Sequence, residues 1–114
     1  MDQAGFHRGI ALFNRGEFYE AHEVLEDVWR VAPAPEKLFL QGLIQVSVAL
    51  YHYSQGNAAG AKSLLARGER NLAGYPEEYA GVRLEPLRIA ITAWRQALES
   101  GALPPKFPEI SLNL

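Results

Sequence analysis

PEKLFLQGLIQVSVALYHYS, residues 35 to 54, decides the fold. Its apolar residues Leu38, Phe39, Leu40, Leu43, Ile44, Val46, Val48, Ala49, Leu50 and Tyr51 point in nearly every direction around a helix axis. A surface helix carries one apolar stripe, whereas a helix apolar all round has protein on every side. The stretch therefore predicts a central helix from about Pro35 to Ser54. Pro35 suits its first turn, and Glu36 sits near the positive end of its dipole.

The neighbouring elements follow from this one. Ala32-Pro33-Ala34-Pro35 ends a preceding helix, because proline removes a donor and restricts the residue before it. That second helix carries Phe18, Ala21, His22, Leu25, Val28 and Trp29 on one side, with Tyr19, Glu20, Glu23, Asp27 and Arg30 largely on the other. A first helix from about Gln3 to Arg15 is marked by Phe6, Ile10 and Phe13 at helical spacing, with Asn14-Arg15-Gly16 as its stop. After Gly56, Asn57 is the expected N-cap of a fourth helix with Ala61, Leu64, Leu65, Gly68 and Leu72 inside, where the small residues allow close approach. Gly74-Tyr75-Pro76 ends it and a loop or short turn follows. Pro86 then leads into a fifth helix with Leu87, Ile91, Trp94 and Leu98 on one stripe, stopped by Gly101. The tail ALPPKFPEISLNL is too rich in proline for helix and too apolar for a free linker, so it is expected to lie extended along the bundle or against a second chain.

The fold class is thus all-α, a compact bundle of about five helices with an extended tail, forming a single domain over residues 1–114. Eleven basic against thirteen acidic residues give a net charge of -2 without a dense basic cluster, so nucleic acid is not an expected partner. The opening MDQAGFHRG lacks the pattern of a signal peptide. Leu38 to Tyr53, the most apolar stretch, is broken by Gln41, Gln45 and His52 and is shorter than the roughly 20 residues a membrane span requires. No membrane is expected as a partner, and the cytoplasm is the expected compartment. The chain has no cysteine, which removes disulfides and thiolate metal sites.

A faint repeat of forty residues aligns Gly16 with Gly56, Ala21 with Ala61 and Leu25 with Leu65. Each half resembles the tetratricopeptide hairpin, in which glycine ends one helix and a small residue in the next lets the pair pack closely. Two such hairpins are fewer than a solenoid usually needs, and the buried third helix suits a closed bundle.

Polar residues interrupt this pattern in two places. His22 and Glu26 are one turn apart on the inner side of the second helix, and Trp29 continues the row. Gln41, Gln45 and His52 form a polar row on the otherwise apolar third helix. Buried amides and imidazoles without partners cost a few kcal/mol, so the two rows are expected to face each other, with Glu20 and Glu23 at the rim.

The runs FNRGEFYEAHEVLEDVW (13–29), LQGLIQVSVALYH (40–52) and GNAAGA (56–61) resemble, in that order, the small bacterial and archaeal all-helical proteins grouped as domain of unknown function 309. The resemblance covers roughly residues 13 to 65. It implies a compact bundle of about five helices, with Glu20, His22, Glu23, Glu26, Trp29, Gln41, Gln45 and His52 at the matching polar and aromatic positions. It implies no activity.

Three functional readings compete with a purely structural one. In the first, His22, Glu26 and His52 are ligands of a divalent metal ion that activates water, and Glu23 is the general base. In the second, His22, tuned by Glu26 beside it, and His52 do metal-free acid and base chemistry, although no nucleophile motif or phosphate loop is present. The third is a helical interaction module, or a homo-oligomer, joined through exposed Tyr19, Tyr75 and Tyr79 or through the tail. The structural reading makes the polar rows a device for fixing helix register.

Overall fold

A computed structural model describes residues 1–113. The helices are α1 (Gln3–Asn14), α2 (Phe18–Arg30), α3 (Ala34–Ser54), α4 (Ala58–Leu72) and α5 (Leu84–Ser100). Three two-residue strands, β1 (Glu78–Tyr79), β2 (Val82–Arg83) and β3 (Ser111–Leu112), complete the chain. Consecutive helices pack as neighbours, and α3 lies between α2 and α4.

The repeat is visible in the backbone. The Glu17 amide donates to the Leu12 carbonyl and the Gly16 amide to that of Phe13; forty residues on, Asn57 donates to His52 and Gly56 to Tyr53. Gly16 and Gly56 take φ of +79° and +81°, the left-handed turn that glycine enters without a Cβ penalty. Each hairpin then buries the small residue that follows, Ala21 or Ala61. Asn57 caps α4 as expected, its side chain accepting from the Gly60 amide at 2.9 Å.

Pairing of α3 with α4 depends on two glycines. A Cβ on Gly68 would lie 2.8 Å from Val46 Cγ2 and 3.1 Å from the Gly42 carbonyl oxygen, and one on Gly42 would lie 2.8 Å from Leu72 Cγ. The core gathers Phe6, Phe13, Leu25, Phe39, Leu43, Leu50, Leu65, Ile91 and Trp94 from all five helices. However, α3 is not covered all round. Leu38 is exposed, while Gln41, Ile44, Gln45 and Val48 are half-buried, so one seam of the helix opens to solvent along the polar row.

The segment between α4 and α5 departs from the sequence expectation. The segment before α5 is a hairpin, with β1 antiparallel to β2 in the register Glu78↔Arg83 and Tyr79↔Val82. Its two turn residues, Ala80 and Gly81, both have positive φ, the geometry of tight hairpin turns. Tyr75 and Tyr79 are consequently not exposed aromatics. The hairpin turns them onto Phe39, with ring centroids at 5.6 and 4.9 Å, and leaves both half-buried. The Tyr75 hydroxyl accepts from the Phe39 amide at 3.0 Å and donates to the Pro35 carbonyl at 2.8 Å, two groups that an α-helix ordinarily pairs with each other.

The tail runs extended along the bundle. β3 pairs antiparallel with β2, and Ile110 enters the core. The Asn14 side-chain amide holds the Ile110 backbone in both directions, donating to its carbonyl at 2.9 Å and accepting from its N–H at 2.7 Å. Asn14, expected only as a helix stop, thus acts as a clasp across 96 residues.

Candidate functional site

The open seam of α3 meets the C-terminal half of α2 in a cleft of about 340 Å³ lined by Glu26, Trp29, Arg30, Gln41, Ile44 and Gln45. The helical periods place these groups together. Glu26, Trp29 and Arg30 are three and four residues apart on α2, and Gln41, Ile44 and Gln45 repeat the same spacing on α3. Four of the expected residues (Glu26, Trp29, Gln41 and Gln45) therefore converge as the two polar rows suggested.

The partners differ in part from expectation. Gln45 Oε1 accepts from Asn71 Nδ2 of α4 at 2.8 Å, so its hydrogen bond runs to α4, away from α2. The expected partner was the row on α2, but α3 lies between both neighbours and for Gln45 it is α4 that supplies the bond. Lys37 closes one side of Trp29. Its ammonium lies 4.2 Å from the indole centroid and donates to the Trp29 and Arg30 carbonyls, satisfying the end of α2. The indole Nε1–H of Trp29 is buried and has no acceptor among the described residues.

Ionisable groups stand at one-turn intervals along α2. His22 Nδ1 donates to the Tyr19 carbonyl at 2.5 Å, which fixes the ring and leaves Nε2 3.6 Å from Glu26 Oε1. Glu26 Oε2 lies 4.0 Å from Arg30 Nη2, and Arg30 also pairs with Asp27. The imidazole is largely covered, with 17% of its side chain accessible, whereas Glu26 is 43% accessible.

The two histidines do not share a pocket wall. His22 meets Tyr19 edge-on at 4.9 Å, Tyr19 lies tilted against Tyr51 at 5.2 Å, and Tyr51 adjoins His52 at 6.2 Å, so two tyrosines separate the imidazoles. His52 lies at the end of α3, where Asn57 Nδ2 approaches its Nδ1 at 3.5 Å. Glu20 and Glu23 are exposed on the outer side of α2. Among the described residues no three histidine, aspartate or glutamate side chains are placed to hold one metal ion, so the expected set of His22, Glu26 and His52 is not assembled. The interposed tyrosines are the physical reason.

Arg30, Ile44, Lys37 and Asn71 are the site residues that sequence reasoning missed. Ile44 read as core and Arg30 as outer face. Lys37 carried a usable signal, since a cation in the first turn of α3 stands across a short loop from the negative end of α2.

Residues 6–64, just over half of the chain, match the family described as Domain of unknown function (DUF309). The chain belongs to the DUF309 family. This span of the DUF309 chain includes most of α1, all of α2 and α3, the first part of α4 and every cleft-lining residue. An uncharacterized protein of Aquifex aeolicus (strain VF5) is 32% identical over 103 residues, which cover 90% of the DUF309 chain and 30% of that protein. The uncharacterized protein YpuF of Bacillus subtilis (strain 168) is 44% identical over 57 residues, covering 49% of the chain and 33% of YpuF. The DUF309 chain thus spans about a third of the length of these relatives. No helix among the described residues is long and apolar enough to cross a membrane.

Proposed function

We propose that this DUF309 chain is a helical binding module whose working surface is the cleft between α2 and α3. The observation that carries this reading is the buried indole N–H of Trp29, which finds no acceptor among the described residues. A buried donor left unmade costs about 1–3 kcal/mol, so a ligand that brings an acceptor recovers that energy on binding. The cleft that Trp29 helps to line also presents two primary amides, a carboxylate, a guanidinium and the apolar flank of Ile44. Such a mixture suits a ligand with a carbonyl-type acceptor and a small apolar portion.

A second reading keeps His22 and Glu26 as a two-point grip on a divalent metal ion, with the remaining ligands supplied from outside the chain and Glu23 nearby as a base. It is supported by the His22 ring geometry: Nδ1–H is committed to a backbone carbonyl while Nε2 faces the carboxylate, the orientation typical of metal-binding histidines. His52 takes no part in it.

One titration separates the two. In ¹⁵N-labelled protein, a panel of small carboxamides and short peptides is expected to move the Trp29 indole resonance together with the Gln41 and Gln45 side-chain amides, and Gln41→Ala is expected to abolish the response. Zinc alone moving the His22 resonances, with loss in His22→Ala, would establish the second reading instead. A panel that leaves all of these resonances in place removes the first.

A further inference from the structure

The face that carries the α2–α3 cleft is complementary to itself, and we propose that its partner is a second copy of the chain, with the two α3 helices parallel across a two-fold axis. This rests on the reading of the cleft as a binding surface and names what covers it.

The floor of the face is the open row of α3. Leu38, Gln41, Gln45, Val48 and His52 follow one another at intervals of three and four residues, the spacing at which one helix lies along another at a shallow angle. Leu38 is 53% exposed and the other four are half-buried, so among the described residues no element covers the row. Polar residues in such a seam lower its stability but fix its register and oligomeric state.

The walls of the face differ in charge. α2 carries exposed Glu20, Glu23 and Asp27 and half-buried Glu26 against Arg30, whereas α4 carries exposed Lys62, Arg67 and Arg70 against a Glu69 that pairs with Arg95 of α5. Both walls run antiparallel to α3. Lys37 at its start reaches the end of α2, Tyr51 near its end meets Tyr19, and His52 lies beside Asn57, the cap of α4. Gln45 sets the heights of the walls, because it bonds Asn71 of α4 and lines the cleft with Glu26 of α2. About one turn back on each wall stand Glu23 and Arg67, exposed and without an ion-pair partner among the described residues.

A two-fold axis along α3 sets the acidic wall of each copy against the basic wall of the other, so Glu23 meets Arg67 twice. An axis in the interface but perpendicular to α3 opposes like charges instead. Charge thus selects the parallel pair. The second copy also brings the carboxamides of its own Gln41 and Gln45, carbonyl acceptors of the kind that suit the cleft. The area suffices. With 21 residues α3 is about 31 Å long, and neighbouring axes about 9 Å away on each side give the face roughly 600 Å² per copy, where specific interfaces begin at about 1,200 Å² over both partners.

Sedimentation of the whole chain at low ionic strength tests the proposal. The unsubstituted protein is expected to dimerise, and added salt to weaken the dimer. Glu23→Arg or Arg67→Glu alone makes both contacts repulsive and should weaken self-association at least about tenfold. An equimolar mixture of the two variants should recover a dimer, since every contact between them again joins opposite charges. Should either variant fail to fold, Glu23→Gln and Arg67→Gln, which remove the attraction alone, must each still weaken the dimer. A chain that stays monomeric up to about 1 mM, a dimer indifferent to these substitutions, or a mixture that recovers nothing overturns the proposal. Monomers in which carboxamides still move the Trp29 indole resonance overturn it while leaving the cleft reading in place. A charge-sensitive dimer in which carboxamides move no resonance sustains it and confines the cleft to the protein partner.

Discussion

The two tryptophans show how a single hydrogen bond changes the meaning of a side chain. Trp94 is 2% exposed and gives its N–H to the Lys106 carbonyl, whereas Trp29 is half-buried and its N–H is unmet among the described residues. Replacing each by phenylalanine removes ring area and a donor, yet the donors differ in sign. Trp94→Phe loses packing and strands a carbonyl, a cost of about 2 kcal/mol. In Trp29→Phe the relief of an unmade bond offsets the lost contact with Lys37, and the net change stays within about 1 kcal/mol. Urea unfolding of the two variants checks this ordering, and equal losses would show that the Trp29 N–H is satisfied in solution. A residue that is cheap to change for stability but needed for binding is what a recognition cleft requires.

Among the elements, the α3–α4 contact is the most demanding. Gly68→Ala gains helix propensity of up to about 1 kcal/mol, but the new methyl meets Val46 and the Gly42 backbone, and backbone cannot rotate away. The expected outcome is a net loss of about 1–2 kcal/mol, measured by chemical denaturation; a more stable variant would show that the two helices slide apart freely. The sequence carried this contact, because Gly68 lies on the inner stripe of α4 and reads as a point of close approach. It carried all five helices for the same reason, since helical periodicity and the breakers Gly16, Pro33, Gly56, Gly74 and Gly101 are local signals. The β-hairpin was illegible because two-residue strands have no period, and the inward turn of Tyr75 and Tyr79 went with it. The Asn14 clasp joins residues too distant in sequence for any local pattern to connect. In the cleft, facing rows predicted the convergence of Glu26, Trp29, Gln41 and Gln45. They could not reveal that Tyr19 and Tyr51 stand between His22 and His52, because helical spacing fixes a face but not what fills the gap.

At the scale of the molecule, the hairpin before α5 ties the N-terminal turn of α3 to the end of α4. Arg88 donates to the Leu72 and Tyr75 carbonyls, Tyr75 bridges Phe39 and Pro35, and the Tyr79 hydroxyl reaches the Pro35 carbonyl at 3.4 Å. Tyr79 also makes this junction sensitive to alkali. Partial burial, and then the neighbouring Tyr75 and the Glu36 carboxylate, raise its pKa above the ordinary value of 10.0. The folded chain thus holds the phenolic proton more tightly than the unfolded chain does, so stability falls wherever the unfolded state has already released it. The contribution is complete below the ordinary tyrosine pKa and disappears as pH climbs through the raised one. Tyr79→Phe keeps the ring on Phe39 and has no proton to lose. The difference in unfolding free energy between the two chains should therefore stay constant up to about pH 9 and move in favour of phenylalanine above about pH 10, and curves that remain parallel to pH 11 would show that the phenol is no more shielded than in an open chain.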